Sequence, residues 1–222
     1  MDWSTTLAVL AHELRAPTQV ITGYTRMLAE GRLDESQRLR ALAQIESAAG
    51  RIGLISRHAA ELSRWQSPPG AATDGARLGD LVASAVARSA SPDRVSVRLL
   101  AQDGDVRVRS LDDAALSEAL TTIIDAVSRE VIDDRLLVVS RACGSPAARD
   151  LLIGADALLQ CPDRTAGPSG AVALSLERGG LGLALVLAVT VLDAHGASVW
   201  TVGSQTGIVG IRLRVEPSRT SP

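Results

Sequence analysis

The sequence predicts an α+β chain, a long helical hairpin followed by an α/β sandwich, and three observations carry that reading. In the first third, apolar residues recur at alternating steps of three and four, the stripe of a helix. A proline-glycine run, Pro68-Pro69-Gly70, ends that pattern. Beyond it, short alternating segments interleave with helical ones, as in a sheet with helices on one face.

The 222 residues carry 23 Lys plus Arg against 25 Asp plus Glu, a formal charge of −2. No basic field favours nucleic acid as a partner. Hydrophobic residues make up 46%, which permits a packed core and excludes intrinsic disorder; with no Phe, one Tyr and three Trp, that core must be aliphatic. Cys143 and Cys161 lack metal-ligand spacing and read as ordinary buried thiols. The start, Met1-Asp2-Trp3-Ser4, has no basic signal-peptide region. The longest apolar stretch, Leu181 to Leu192, is about half the roughly 20 residues a membrane span needs. The expectation is a cytoplasmic protein with no membrane insertion, organised as a hairpin over 1–67, a linker over 68–75, a sandwich over 76–217 and a tail over 218–222.

Leu7, Leu10, Leu14, Pro17, Ile21, Tyr24 and Leu28 form the seam of the first helix. Gly31-Arg32-Leu33 breaks it, and Asp34 with Gln37 three residues on is a capping-box variant that starts a second helix. There Leu42, Ile45, Ala49, Ile52 and Ala59 keep the spacing, and Leu39, Ile55 and Leu62 widen the stripe. Two helices cannot bury such stripes on each other alone, so the pattern predicts a homodimer with a four-helix bundle. The alternative is a hairpin packed on the rest of its own chain.

In the second half, helices are expected around Leu78 to Arg88, Leu111 to Val131 and Leu181 to Ala194. Strands are expected at Val95 to Leu99, Val106 to Val108, Leu136 to Ser140, Asp150 to Ile153, Ser198 to Val202 and Ile208 to Val215, with a loop over Gly154 to Glu177.

His12 lies five residues after Leu7 and points away from the seam, flanked by Glu13 and Arg15. A neutral imidazole is a nucleophile near neutral pH, able to accept a phosphoryl group and hand it to a carboxylate; on spacing alone a lone exposed histidine on a helix is more often a solvated surface residue. Pro17 cannot donate to the Glu13 carbonyl, so a kink is expected beside the histidine.

The run His12-Glu13-Leu14-Arg15-Ala16-Pro17, with Ile21, Gly23, Tyr24 and Leu28 after it, resembles the phosphoacceptor box of sensor histidine kinases. That resemblance implies that His12 is the phosphorylated residue, that Glu13 assists its proton transfer, and that Arg15 and Pro17 shape the site. It also implies docking of a response-regulator receiver domain. Where the family often has Thr or Asn four residues after the histidine, this chain has Ala16, so the usual phosphatase activity is not expected.

The second half is similar to the gyrase-type ATP-binding domain of the same kinases, with departures. Glu118 fits the start of the asparagine-rich helix, but the two following asparagine positions hold Thr122 and Ala126, and a methyl group offers magnesium no oxygen. Asp125 stands about 100° around the helix from Ala126. Gly154-Ala155-Asp156 replaces the expected Asp-x-Gly-x-Gly adenine loop. Gly180 and Gly182 resemble the phosphate-binding glycines, or serve tight helix-to-sheet packing; Arg178 stands where another glycine is usual. His195 is expected to end the following helix.

Three functions remain open. The first is a phosphotransferase that exchanges a phosphoryl group between His12 and receiver aspartates, using neither ATP nor a metal and fed by an upstream histidine kinase. The second is an ATP- and magnesium-dependent histidine kinase with a divergent site at Glu118, Gly180 and Gly182. The third is a pseudokinase that binds a kinase or a regulator.

Overall fold

The computed structural model describes residues 3–67, 70, 73–131, 134–159, 172–173, 181–201 and 208–215. The chain divides into two units, residues 1–64 and 65–222.

The first unit is the hairpin of α1 (Trp3–Ala29) and α2 (Glu35–Trp65). Gly31 follows α1 at φ +65°, a conformation that glycine adopts without strain and that closes many helices. The Gln37 N–H donates to Asp34 Oδ1 at 2.8 Å and the Asp34 N–H to Gln37 Oε1 at 3.0 Å, so the capping box forms in both directions. α1 is helical throughout, Pro17 included.

Within the hairpin unit the buried residues of α2 are Ala41, Ala48, Ile55 and Leu62, seven positions apart, and α1 buries Thr6 and Pro17. Pro17, Ile55 and Leu62 belong to the expected stripe, whereas Thr6, Ala41 and Ala48 lie one residue before the expected Leu7, Leu42 and Ala49, and both Leu7 and Leu42 are exposed. Trp3, Met27, Leu39 and Leu54 are exposed as well.

The second unit contains β1 (Thr73–Arg77), α3 (Leu78–Arg88), a 3₁₀ turn at Pro92–Arg94, β2 (Val95–Arg98), β3 (Arg107–Ser110) and α4 (Asp113–Glu130). Then come β4 (Leu136–Ala142), β5 (Ala148–Ala155), α5 (Asp156–Leu159), β6 (Val172–Ala173), α6 (Leu183–Ala194), β7 (Ser198–Thr201) and β8 (Val209–Arg214). The main sheet has the order β2-β4-β5-β8-β7-β6; β2 runs parallel to β4 and the other neighbours are antiparallel. A separate ribbon pairs β1 with β3.

Alternate residues of the sheet, Leu136 and Val138, Leu151 and Ile153, Val209 and Ile211, face one aliphatic core shared with α3, α4 and α6. Trp65, assigned by the sequence to the hairpin, is buried in that core. The opposite sheet face buries Leu152, Trp200 and Ile208 against Leu158 and Leu159 of α5. Two features differ from the sequence expectation. The polar β1 has no alternation to announce it, and β5 continues through Gly154 and Ala155 before α5 begins where a loop was expected. Cys143 is half-buried rather than buried, and Cys161 lies outside the described residues.

Candidate functional site

α1 holds His12 exposed, and among the described residues no hydrogen bond or ion pair engages its ring. The next side chain, about 100° further around the helix, turns inward. Glu13 is 18% exposed, and its Oε2 lies 3.5 Å from Arg51 Nη2 across the hairpin. Arg15 is exposed and Pro17 is buried against the second helix. The Thr18 hydroxyl donates to the Leu14 carbonyl at 2.7 Å, and Thr22 repeats the contact to Thr18 at 2.8 Å. His12 is therefore an accessible nucleophile on a continuous helix, with an acid beside it that is paired elsewhere.

In the second unit, α4 starts at Asp112, whose Oδ1 accepts from the N–H groups of Ala114 and Ala115, both at 3.0 Å. Glu118 is exposed. The Thr122 hydroxyl is spent on the Glu118 carbonyl at 3.1 Å. Ala126 is 1% exposed and packs in the aliphatic core. Asp125 accepts from the Ala90 N–H at 2.8 Å and lines a separate open groove with Arg94, Ser128 and Arg129. The sequence contains no asparagine anywhere. Magnesium takes oxygen ligands in near-octahedral geometry, and this donor set does not fit it. Among the described residues, no group of three or more His, Cys, Asp and Glu could hold a metal ion.

Gly154 is a packing glycine inside β5, opposite Leu137, where a Cβ would come 2.8 Å from Ile208 Cγ1. Asp156 opens the single turn of α5, its N–H donating to the Arg135 carbonyl at 3.0 Å. Gly182 caps α6 at φ 54°, ψ −126°, a region open to glycine and almost no other residue. The first N–H groups of that helix are already used: Ala184 donates to Leu181, and Leu185 and Val186 donate to Gly182. Gly180 lies outside the described residues.

His195 ends α6 as expected, and it is buried. Its Nε2 accepts from the Asp112 N–H at 3.2 Å and its Nδ1 faces the Val191 carbonyl at 2.7 Å, which fixes the neutral ring with the proton on Nδ1. The ring packs 5.2 Å from Trp65 and ties the end of α6 to the start of α4. Spacing gave no sign of Arg51, although the constant pairing sum of an antiparallel hairpin points to it once the turn is known.

An exposed histidine on a helical hairpin, joined to a sandwich of a mixed sheet and three main helices, is the architecture of sensor histidine kinases, and the chain has that fold. It is similar to the histidine kinase AdeS of Acinetobacter baumannii with a TM-score of 0.58 and 16% identity, over 94% of this chain and 98% of AdeS. It is similar to the histidine kinase ThkA, solved in complex with the response regulator protein TrrA, with a TM-score of 0.58 and 15% identity, over 96% of this chain and 62% of ThkA. The match to full-length ShkA in complex with AMPPNP has a TM-score of 0.50 and 16% identity, over 96% of this chain and 46% of ShkA. No protein-family model and no curated protein sequence matches the chain. No helix among the described residues is long and apolar enough to cross a membrane.

Proposed function

We propose that this protein is a two-component signalling protein that carries a phosphoryl group on His12 and exchanges it with receiver-domain aspartates, without ATP. The observation that carries the reading is the contrast between the two units. The hairpin presents an exposed, unpartnered imidazole, whereas the magnesium position of the sandwich is the buried methyl of Ala126. Phosphoryl transfer from a nucleotide depends on metal ions to neutralise developing charge, and the methyl group at position 126 offers no ligand for one.

In the transfer, one ring nitrogen of neutral His12 attacks the phosphorus of a receiver aspartyl phosphate. The bond from phosphorus to the aspartyl oxygen breaks, and the carboxylate leaves with that electron pair. The other ring nitrogen keeps its proton, which becomes more acidic as the new bond forms, and the Glu13 carboxylate is the neighbour able to accept it. The reverse sequence delivers the phosphoryl group to a second receiver. An upstream histidine kinase charges the first receiver. The exposed apolar side chains of Trp3 and Leu7 on α1 and of Leu39 and Leu42 on α2 support a homodimer, since a second hairpin would cover them.

The purified chain is incubated with labelled ATP and magnesium, and in parallel with a phosphorylated receiver. Acid-labile label that arrives from the receiver, is absent from the His12→Ala variant and never arrives from ATP is the expected result. Label from ATP that depends on His12 would establish the kinase reading instead. Light scattering is expected to return twice the chain mass for the unmodified protein and a single chain mass for Leu39→Glu/Leu42→Glu.

A further inference from the structure

The carboxylate beside the exposed histidine is held by the other helix of the hairpin. Glu13 is mostly buried and points across to α2, where Arg51 Nη2 lies 3.5 Å from its Oε2 while the Arg51 side chain remains 57% exposed. The charged groups on the facing stretch of α2 are Glu46, Arg51, Arg57 and His58, and on the neighbouring turns of α1 they are Glu13 and Arg15. The Arg51 pair with Glu13 spans the hairpin at 3.5 Å. Among the described residues, no hydrogen bond or ion pair engages the His12 ring, one residue away.

We infer that Arg51 is a positioning residue which competes with the His12 ring for the Glu13 carboxylate, and so sets how readily His12 accepts a phosphoryl group; this rests on His12 being the phosphoryl carrier. The pair is long and half-exposed, and such pairs contribute about 0 to 1 kcal/mol. Glu13 therefore exchanges between Arg51 and the ring at little cost. While Arg51 holds it, the ring N–H has only water as acceptor. Once released, the carboxylate accepts from that N–H, raises the basicity of the opposite nitrogen and makes it the better nucleophile. Whatever occupies the Arg51 guanidinium from outside, such as an acidic side chain of a docked receiver, would free Glu13.

The test is a titration of the His12 ring by nuclear magnetic resonance in the full chain, with the His12→Ala spectrum identifying its signals. Arg51→Ala is expected to raise the His12 midpoint by about half a pH unit, because a freed carboxylate favours the charged ring. The rise should largely vanish in the Glu13→Gln background, and Arg51→Lys should stay near the unmodified protein. The rate of label acceptance from a phosphorylated receiver should rise about threefold in Arg51→Ala and be unchanged by the same substitution when Glu13 is Gln. An unmoved midpoint in Arg51→Ala overturns the inference. A rise of equal size in the Glu13→Gln background also overturns it, since Arg51 would then act on the ring through its own charge. The titration needs no phosphoryl donor. The expected coupling without label transfer would sink the carrier reading and leave the Arg51 competition standing.

Discussion

Asp150 is fully buried in β5 on the sheet face away from α3, α4 and α6, and Arg212 of β8 grips it with two bonds, Nε to Oδ1 at 2.7 Å and Nη2 to Oδ2 at 2.9 Å. Arg141 of β4 stands 4.0 Å from Oδ2. Removing one partner of a buried pair costs about 3 to 5 kcal/mol, because the other charge is left uncompensated. Arg212→Ala leaves a sealed carboxylate with one distant cation, so a cost of about 3 kcal/mol is expected. Asp150→Ala strands a guanidinium that is 34% exposed and can hydrate, so about 2 kcal/mol is expected there. The double variant should cost clearly less than the sum, with a coupling of about 2 kcal/mol. The Arg212 guanidinium is held above its ordinary value, first by the hydrogen bond to Asp150, with burial opposing. A raised folded value means that its contribution is complete below the unfolded guanidinium value and lost only above it. The cost of Arg212→Ala should therefore be level across roughly pH 6 to 9. Urea denaturation of the full chain, comparing midpoints at constant slope, measures the cycle. Strictly additive single and double costs would refute the account, since the two groups would then be independent.

The same sheet face makes Gly210 irreplaceable: a Cβ there would fall on Trp200 Cε2 and Cζ2 and lie 2.6 Å from Nε1. Gly210→Ala should cost about 3 kcal/mol or more in a thermal melt, and Trp200→Leu should recover part of that in the double variant. His195→Ala removes the acceptor of the Asp112 N–H and the stacking on Trp65; a loss of about 2 to 3 kcal/mol is expected in denaturant. Ala126→Asn places an amide in an aliphatic core and should destabilise the protein by about 3 kcal/mol, with no gain of label from ATP in the same assay. Label gained by that variant would mean that a single oxygen ligand was all the site lacked.

Much of the architecture was legible because it rests on local chemistry. Asp34 and Gln37 announce a helix start through their own side chains, and the apolar run from Leu136 to Ser140, read as a buried strand, is β4. His12 was legible as exposed because heptad geometry places it off the seam whichever neighbouring register the helices adopt. The register was legible in part: Pro17, Ile55 and Leu62 fall in the expected stripe, while Thr6, Ala41 and Ala48 are buried one step before the expected Leu7, Leu42 and Ala49. β1 was illegible because Thr73-Asp74-Gly75-Ala76-Arg77 is held by pairing with β3 rather than by its own pattern. The Asp150 and Arg212 pair, 62 residues apart, and the Glu13 and Arg51 pair, 38 apart, depend on strand order and hairpin register, which no short window contains.

Among the described residues, glycines are a poor measure of nucleotide use, because backbone geometry alone accounts for Gly182, Gly154 and Gly210. Gly182 is required by a positive φ, and Gly154 and Gly210 by the side chains that lie over them. The polar groups nearby point the same way. The Thr122 hydroxyl, the Asp125 carboxylate and the early N–H groups of α6 each already hold a partner inside the protein. A group that must give up one hydrogen bond to make another gains little net free energy from the exchange. The His12 ring has no such bond to surrender, so an incoming phosphoryl donor meets no internal competitor for the ring. Competition enters one residue later, at the carboxylate that Arg51 holds, and that is where control over the reaction would be exerted most cheaply.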